Sequence, residues 1–132
     1  MKILASLGFA AMGLCLLGLA AATFVAPVTT ATMYGLPVEK AFEGWVMATG
    51  LRDGVLGIYS LYLARHATNR LPFLLCLLPL PLGDAGIVLG QGGAFSAAIV
   101  HLAGVVAISA LAAVVFISQR AETSLADPRT ED

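Results

Sequence analysis

The stretch GLRDGVLG, residues 50–57, sets Arg52 beside Asp53 in an apolar run that extends from about Gly44 to Leu63. Whether that run lies in water or in lipid decides the fold. The 132 residues are 59% hydrophobic and 11% charged, with a mean hydropathy of +0.92, well beyond the apolar share of an ordinary soluble domain. Such a chain belongs in a membrane. Two adjacent charges must then be sheltered from lipid, because each costs at least about 2.5 to 3.5 kcal/mol at the centre of a spanning helix.

Outward from this run, three more segments have spanning length, since a bilayer core takes about 20 apolar residues per helix. The first covers residues 3–25 without a charge, the third covers 71–89 and contains Asp84, and the fourth covers 94–118 and contains His101. Pro27, Thr29, Thr30, Gly35 and Pro37 punctuate the first link, residues 65–70 form the second, and Gly90 to Gly93 make a tight third turn. The expected fold is all-α: an antiparallel four-helix membrane bundle over residues 1–118 (spans 3–25, 44–63, 71–89 and 94–118), then a polar, mobile tail over 119–132. Lys2, the first run and Ala20 to Ala22 also have the look of a secretory signal. That run exceeds the roughly 7 to 15 residues of a signal core, so its retention is expected.

Basic residues set the expected orientation. Lys2, Arg65, Arg70, Arg120 and Arg129 fall on one side of a four-span arrangement and Lys40 on the other, which puts both termini in the cytoplasm. Tyr34, Phe42 and Trp45 lie near the outer boundary, where amphipathic rings favour the headgroup layer. With the outer helix ends near Gly44, Leu89 and Ala94, the helical rise places Asp84 about 8 Å deep, His101 about 10 Å, and Arg52 and Asp53 about 12 to 14 Å. Intramembrane charges face the bundle interior and pair with one another, so these four residues are expected to form one buried cluster.

The surroundings permit this. Gly50, Gly54 and Gly57 let a neighbouring backbone approach the second helix, and Thr49, Asp53, Gly57 and Ser60 give it a small, polar face. Pro79 and Pro81 withhold two backbone donors just below Asp84, which favours a cavity there. The competing reading is structural: an Arg52–Asp84 ion pair locking two helices, with Asp53 and His101 completing its hydrogen bonds.

Several classes of chemistry are not expected. A net charge of −1 offers no basic face for nucleic acid. Cys15 and Cys76 form no metal-binding spacing and lie at different depths, so both are read as small, buried, reduced residues. His101 has no second histidine at helical spacing, so no metal site is expected. GQGG at 90–93 follows a membrane helix rather than a strand, so it reads as a turn and no cofactor is expected.

YGLP in the first link, GLRDGVLG, PLGDAGIV around Asp84 and AIVHLAGV around His101 together resemble a family of small four-helix integral membrane proteins of unknown function, found in bacteria and fungi. The resemblance covers nearly the whole chain before the tail, and Gly50, Arg52, Asp53, Asp84 and His101 match the family's motif positions. It implies the fold and the polar constellation but no reaction; the expected location is multi-pass, integral to a membrane, the bacterial inner membrane.

Three functions stay open from the sequence. The bundle binds a small hydrophobic or amphipathic molecule, with Arg52 meeting an anionic or carbonyl group and Asp53, Asp84 and His101 completing the site. Alternatively it is an isomerase, cyclase or hydrolase in which Asp53 or Asp84 exchanges protons with His101. In the third reading it is an accessory subunit, as a homo-oligomer or within a larger membrane complex, and the cluster is structural. A carrier fits less well. Small multidrug exporters have the same helix number but hold their essential acid in the first helix, and here that helix has none.

Overall fold

Lipid offers no partner to a backbone N–H or C=O, so an apolar chain that crosses it must satisfy these groups within itself, and a helix does so. The computed structural model describes residues 1–35 and 43–126. They form helices α1 (Lys2–Val25), α2 (Pro27–Met33), α3 (Glu43–Arg65), α4 (Arg70–Leu77), α5 (Pro79–Gly90) and α6 (Phe95–Ala126), with no strand among the described residues. Three rods are long and apolar enough to cross a membrane: Lys2–Val25, Arg70–Gly90 and Phe95–Ser124. Their outward faces carry Ile3, Leu7, Val25, Leu82 and Val106, all more than half exposed. In water such a surface would associate or aggregate; in lipid it is at home.

Proline shapes two of the joints. Pro27 disfavours helical geometry at the residue before it, and Ala26 accordingly leaves the helix at φ −143° and ψ 67°. Chain direction changes there, and α2 starts on Pro27, whose missing N–H costs nothing at a first helical position. At Pro79 the outcome differs. Leu78 stays helical and its N–H still reaches Leu74 O at 3.0 Å, so α4 and α5 continue as one rod with a joint below Asp84.

Helices α1 and α3 run antiparallel in close contact. A Cβ on Gly50 would meet Thr23 at 2.8 Å, and one on Gly57 would lie 3.0 Å from Gly13 O. Glycine at 13 and 57 therefore sets the helix separation, as the small residues of α3 led one to expect. The end of the molecule near the start of α1 is filled by Phe9, Leu63, Leu74, Leu77, Ile108 and Val115. A smaller cluster, Ala85, Val88 and Ala98, joins α5 to α6 near the turn at Gly92.

Two features differ from the sequence reading. The first link is not all loop, since Pro27–Met33 is helical; Pro37, Lys40 and Phe42 lie outside the described residues. The helix that ends the chain continues past Ser118 to Ala126, and Lys2 pairs with Glu122 at 3.1 Å, so the expected tail begins as ordered helix. Residues 127–132 lie outside the described part.

Candidate functional site

Three helices bring Arg52, Asp53, Asp84 and His101 together. On α3, Arg52 turns back on its neighbour, and its Nε and one Nη each lie 3.0 Å from Asp53 Oδ1. Asp53 is buried at 8% exposure. On α5, Asp84 Oδ2 lies 3.9 Å from the same Arg52 Nη and 3.9 Å from His101 Nδ1 on α6. A gap of 3.9 Å exceeds a direct hydrogen bond, so Asp84 stands near two partners and is gripped by neither. About a third of its side chain is open.

The short ion pair thus joins adjacent residues of one helix. It fastens no helix to another; the contacts that do cross between helices, Arg52–Asp84 and His101–Asp84, are longer, at 3.9 Å.

His101 is held from its other side. Its Nε2 lies 3.1 Å from Tyr34 O, and because a carbonyl only accepts, Nε2 carries the hydrogen in this bond. In a neutral ring Nδ1 is then a bare acceptor facing Asp84. Tyr34 also stacks on the imidazole, with centroids 5.5 Å apart and planes at 29°. Both contacts depend on Gly35, whose φ of +79° turns the chain after α2, and whose missing side chain leaves room for Ala97. The Tyr34 hydroxyl is buried, with no hydrogen-bond partner among the described residues.

These groups border a cavity of about 720 Å³ between α1, α3 and the α5–α6 pair. Tyr34, Arg52, Asp53, Asp84 and His101 line one end. The remainder is apolar, from Met12 and Leu16 on α1 to Leu80 on α5, Gly104 and Leu111 on α6. From His101 to Leu111 the helical rise spans about 15 Å. Chemically, the polar end can hold a headgroup, and the Nδ1–Asp84 gap can hold a proton or a donor. Among the described residues, no group of three or more His, Cys, Asp or Glu is placed to hold a metal ion.

Sequence reasoning missed two members. Tyr34, read as a boundary aromatic, roofs the cavity; its place depends on the break at Ala26 and the turn at Gly35, which no local pattern announces. Cys15 and Cys76 were expected to be buried, but both are exposed free thiols. Cys15 faces the cavity, because helix one lines a void rather than packing dry against its neighbours there.

These observations define a class: a small all-α protein with three helices long and apolar enough to cross a membrane, enclosing a cavity with one polar end. The chain belongs to the DUF4267 family, described as a domain of unknown function, whose profile matches residues 11–115. No curated protein and no solved structure matches it significantly.

Proposed function

We propose that this chain is a four-span membrane protein that binds an amphipathic molecule, its apolar part along α1 and α6 and its headgroup at Arg52, Asp53, Asp84 and His101. The cavity carries this reading. Its 720 Å³ falls within the roughly 300 to 1,000 Å³ of ligand sites, and its polar groups converge at one end. The tightest ion pair, Arg52–Asp53 at 3.0 Å, lies within one helix, which adds support, since a purely structural cluster would be expected to place its tightest pair between helices, where the contacts here are 3.9 Å. The apolar outer faces are what lipid itself requires, so they do not favour an accessory subunit.

The fourth span is α3. Its 23 residues reach about 34 Å, and its contacts with α1 from Thr23 to Gly13 hold it at the depth of a spanning helix. Its two charges open into the cavity instead of facing lipid. The excess of basic residues at Lys2, Arg65, Arg70 and Arg120 supports a cytoplasmic position for that end. In a background lacking Cys15 and Cys76, a cysteine at the exposed Gln91 should label from outside intact cells and one at Thr68 should not. The opposite pattern would reverse the orientation.

Binding is tested with the thiol already in the cavity. In phosphatidylcholine nanodiscs, with Cys76→Ala leaving Cys15 as the reporter, dodecanol should slow alkylation by N-ethylmaleimide and raise the apparent Tm. Ala107→Trp, which fills the cavity beside α6, should remove the Tm shift. If dodecanol, dodecylamine and dodecanoate all leave both readouts unchanged, the proposal is wrong.

A further inference from the structure

Resting on that reading, we infer that the headgroup this site takes is a cation, a protonated amine, and that Asp84 is its counter-ion. The arrangement of charge carries the argument. Arg52 already directs Nε and one Nη to Asp53 Oδ1 at 3.0 Å, and this pair is neutral as a unit. His101 donates from Nε2 to Tyr34 O, and as a neutral imidazole it adds no charge. Asp84 is then the surplus charge: among the described residues the polar end holds one more carboxylate than cation. The surplus sits where a ligand would meet it, with Asp84 on the cavity wall, partly open, and its Oδ2 3.9 Å from the nearest nitrogens on either side.

An anionic headgroup would lie against an arginine already paired and a carboxylate that repels it. A neutral alcohol would satisfy one oxygen and leave the charge uncompensated in a poorly solvated place. An ammonium compensates it. Two of its three N–H donors match the acceptors that stand 3.9 Å apart there, Asp84 Oδ2 and His101 Nδ1. The apolar end then takes the chain that such an amine carries. This reverses the sequence-based expectation that Arg52 meets an anion.

The test ranks three probes of equal chain length on the protein itself. With Cys76→Ala in phosphatidylcholine nanodiscs, dodecylamine should protect Cys15 from N-ethylmaleimide at a concentration at least about 30-fold below that needed for dodecanoate, the scale set by losing one partner of a desolvated charge pair. Dodecanol should fall between them. Asp84→Asn should erase the preference for the amine and leave protection by dodecanol intact. The ranking in the unaltered site needs no variant, so a misfolded Asp84→Asn protein does not blunt the test. Preference for dodecanoate, equal protection by all three, or an amine preference that survives Asp84→Asn would overturn this inference while leaving a ligand site in place. Protection by none of the three would remove the binding proposal as well.

Discussion

Arg70 and Arg52 stand near opposite ends of the molecule and are held differently. Arg70, 5% exposed, gives Nε to Leu63 O at 2.8 Å and one Nη to Ala64 O at 3.0 Å and Ser6 Oγ at 2.8 Å, and its guanidinium lies 5.4 Å from the centre of the Phe9 ring. These carbonyls belong to the last turn of α3, where four oxygens have no partner within the helix. Arg70 therefore caps α3 and ties α4 to α3 and α1. Arg52 caps nothing. It turns to the carboxylate beside it, and 37% of its side chain is open toward the cavity and its mouth. The contrast teaches how to read a membrane arginine: one whose donors end on backbone from other segments holds the fold, whereas one paired within its own helix at a void sets the charge balance of a site.

The largest effect expected from breaking this contrast is at Arg70. Arg70→Met leaves the buried Leu63 carbonyl and the part-buried Ala64 carbonyl without this donor, at about 1 to 3 kcal/mol each, so a loss of about 3 to 5 kcal/mol is expected in detergent or nanodisc unfolding. Arg70→Lys should recover only part, because an ammonium is a point charge that cannot copy the fork-like reach of a guanidinium. A Tm unchanged in Arg70→Met would show that the cap contributes nothing.

Arg52 should respond less in stability. Removing one member of a fully buried pair costs about 3 to 5 kcal/mol, and an exposed pair contributes about 0 to 1 kcal/mol. With its guanidinium partly open, Arg52→Met is expected to cost about 1 to 2 kcal/mol, the value between those limits. Adding Asp53→Leu should return most of the loss, because the buried carboxylate left behind is then gone. A single-variant loss as large as that of Arg70→Met would erase the distinction between the two arginines.

The same contrast explains what could be read from the sequence. Apolar length and composition gave α1, the α4–α5 rod and α6, and glycine spacing gave a close approach to α3 without saying that α1 makes it. Helical rise alone put Arg52, Asp53, Asp84 and His101 at one depth, and the structure brings their side chains together. Whatever rests on a break in regular geometry was not legible. Tyr34 reaches His101 through the Ala26 kink and a positive φ at Gly35. Arg70 looked like a loop charge because capping depends on where α3 ends in space, and Asn69, at φ 62°, is what turns the chain so that Arg70 can reach back. The void beside Cys15 is bounded by residues of α1, α3, α5 and α6 together, and no single segment encodes that.

The smallest stability effect and the sharpest functional one are expected at the same residue. In His101→Gln the amide N–H can still donate to Tyr34 O, so the bond that orients the side chain has a substitute. What disappears is the ring stacked on Tyr34, worth about 0.5 to 1.5 kcal/mol, and the basic Nδ1 facing Asp84. Unfolding should therefore shift by no more than about 1.5 kcal/mol, well below the Arg70 effect. If the polar end works on a ligand, amphiphile protection of Cys15 should fall far more than this shift explains, since an amide cannot accept a proton at neutral pH and its oxygen is a weaker acceptor than an imidazole nitrogen. If the cluster only holds helices together, protection should track the folded fraction and nothing else. The two outcomes separate on one plot of Cys15 protection against folded protein: His101→Gln falls below the line set by the Arg70 variants in the first case and lies on it in the second.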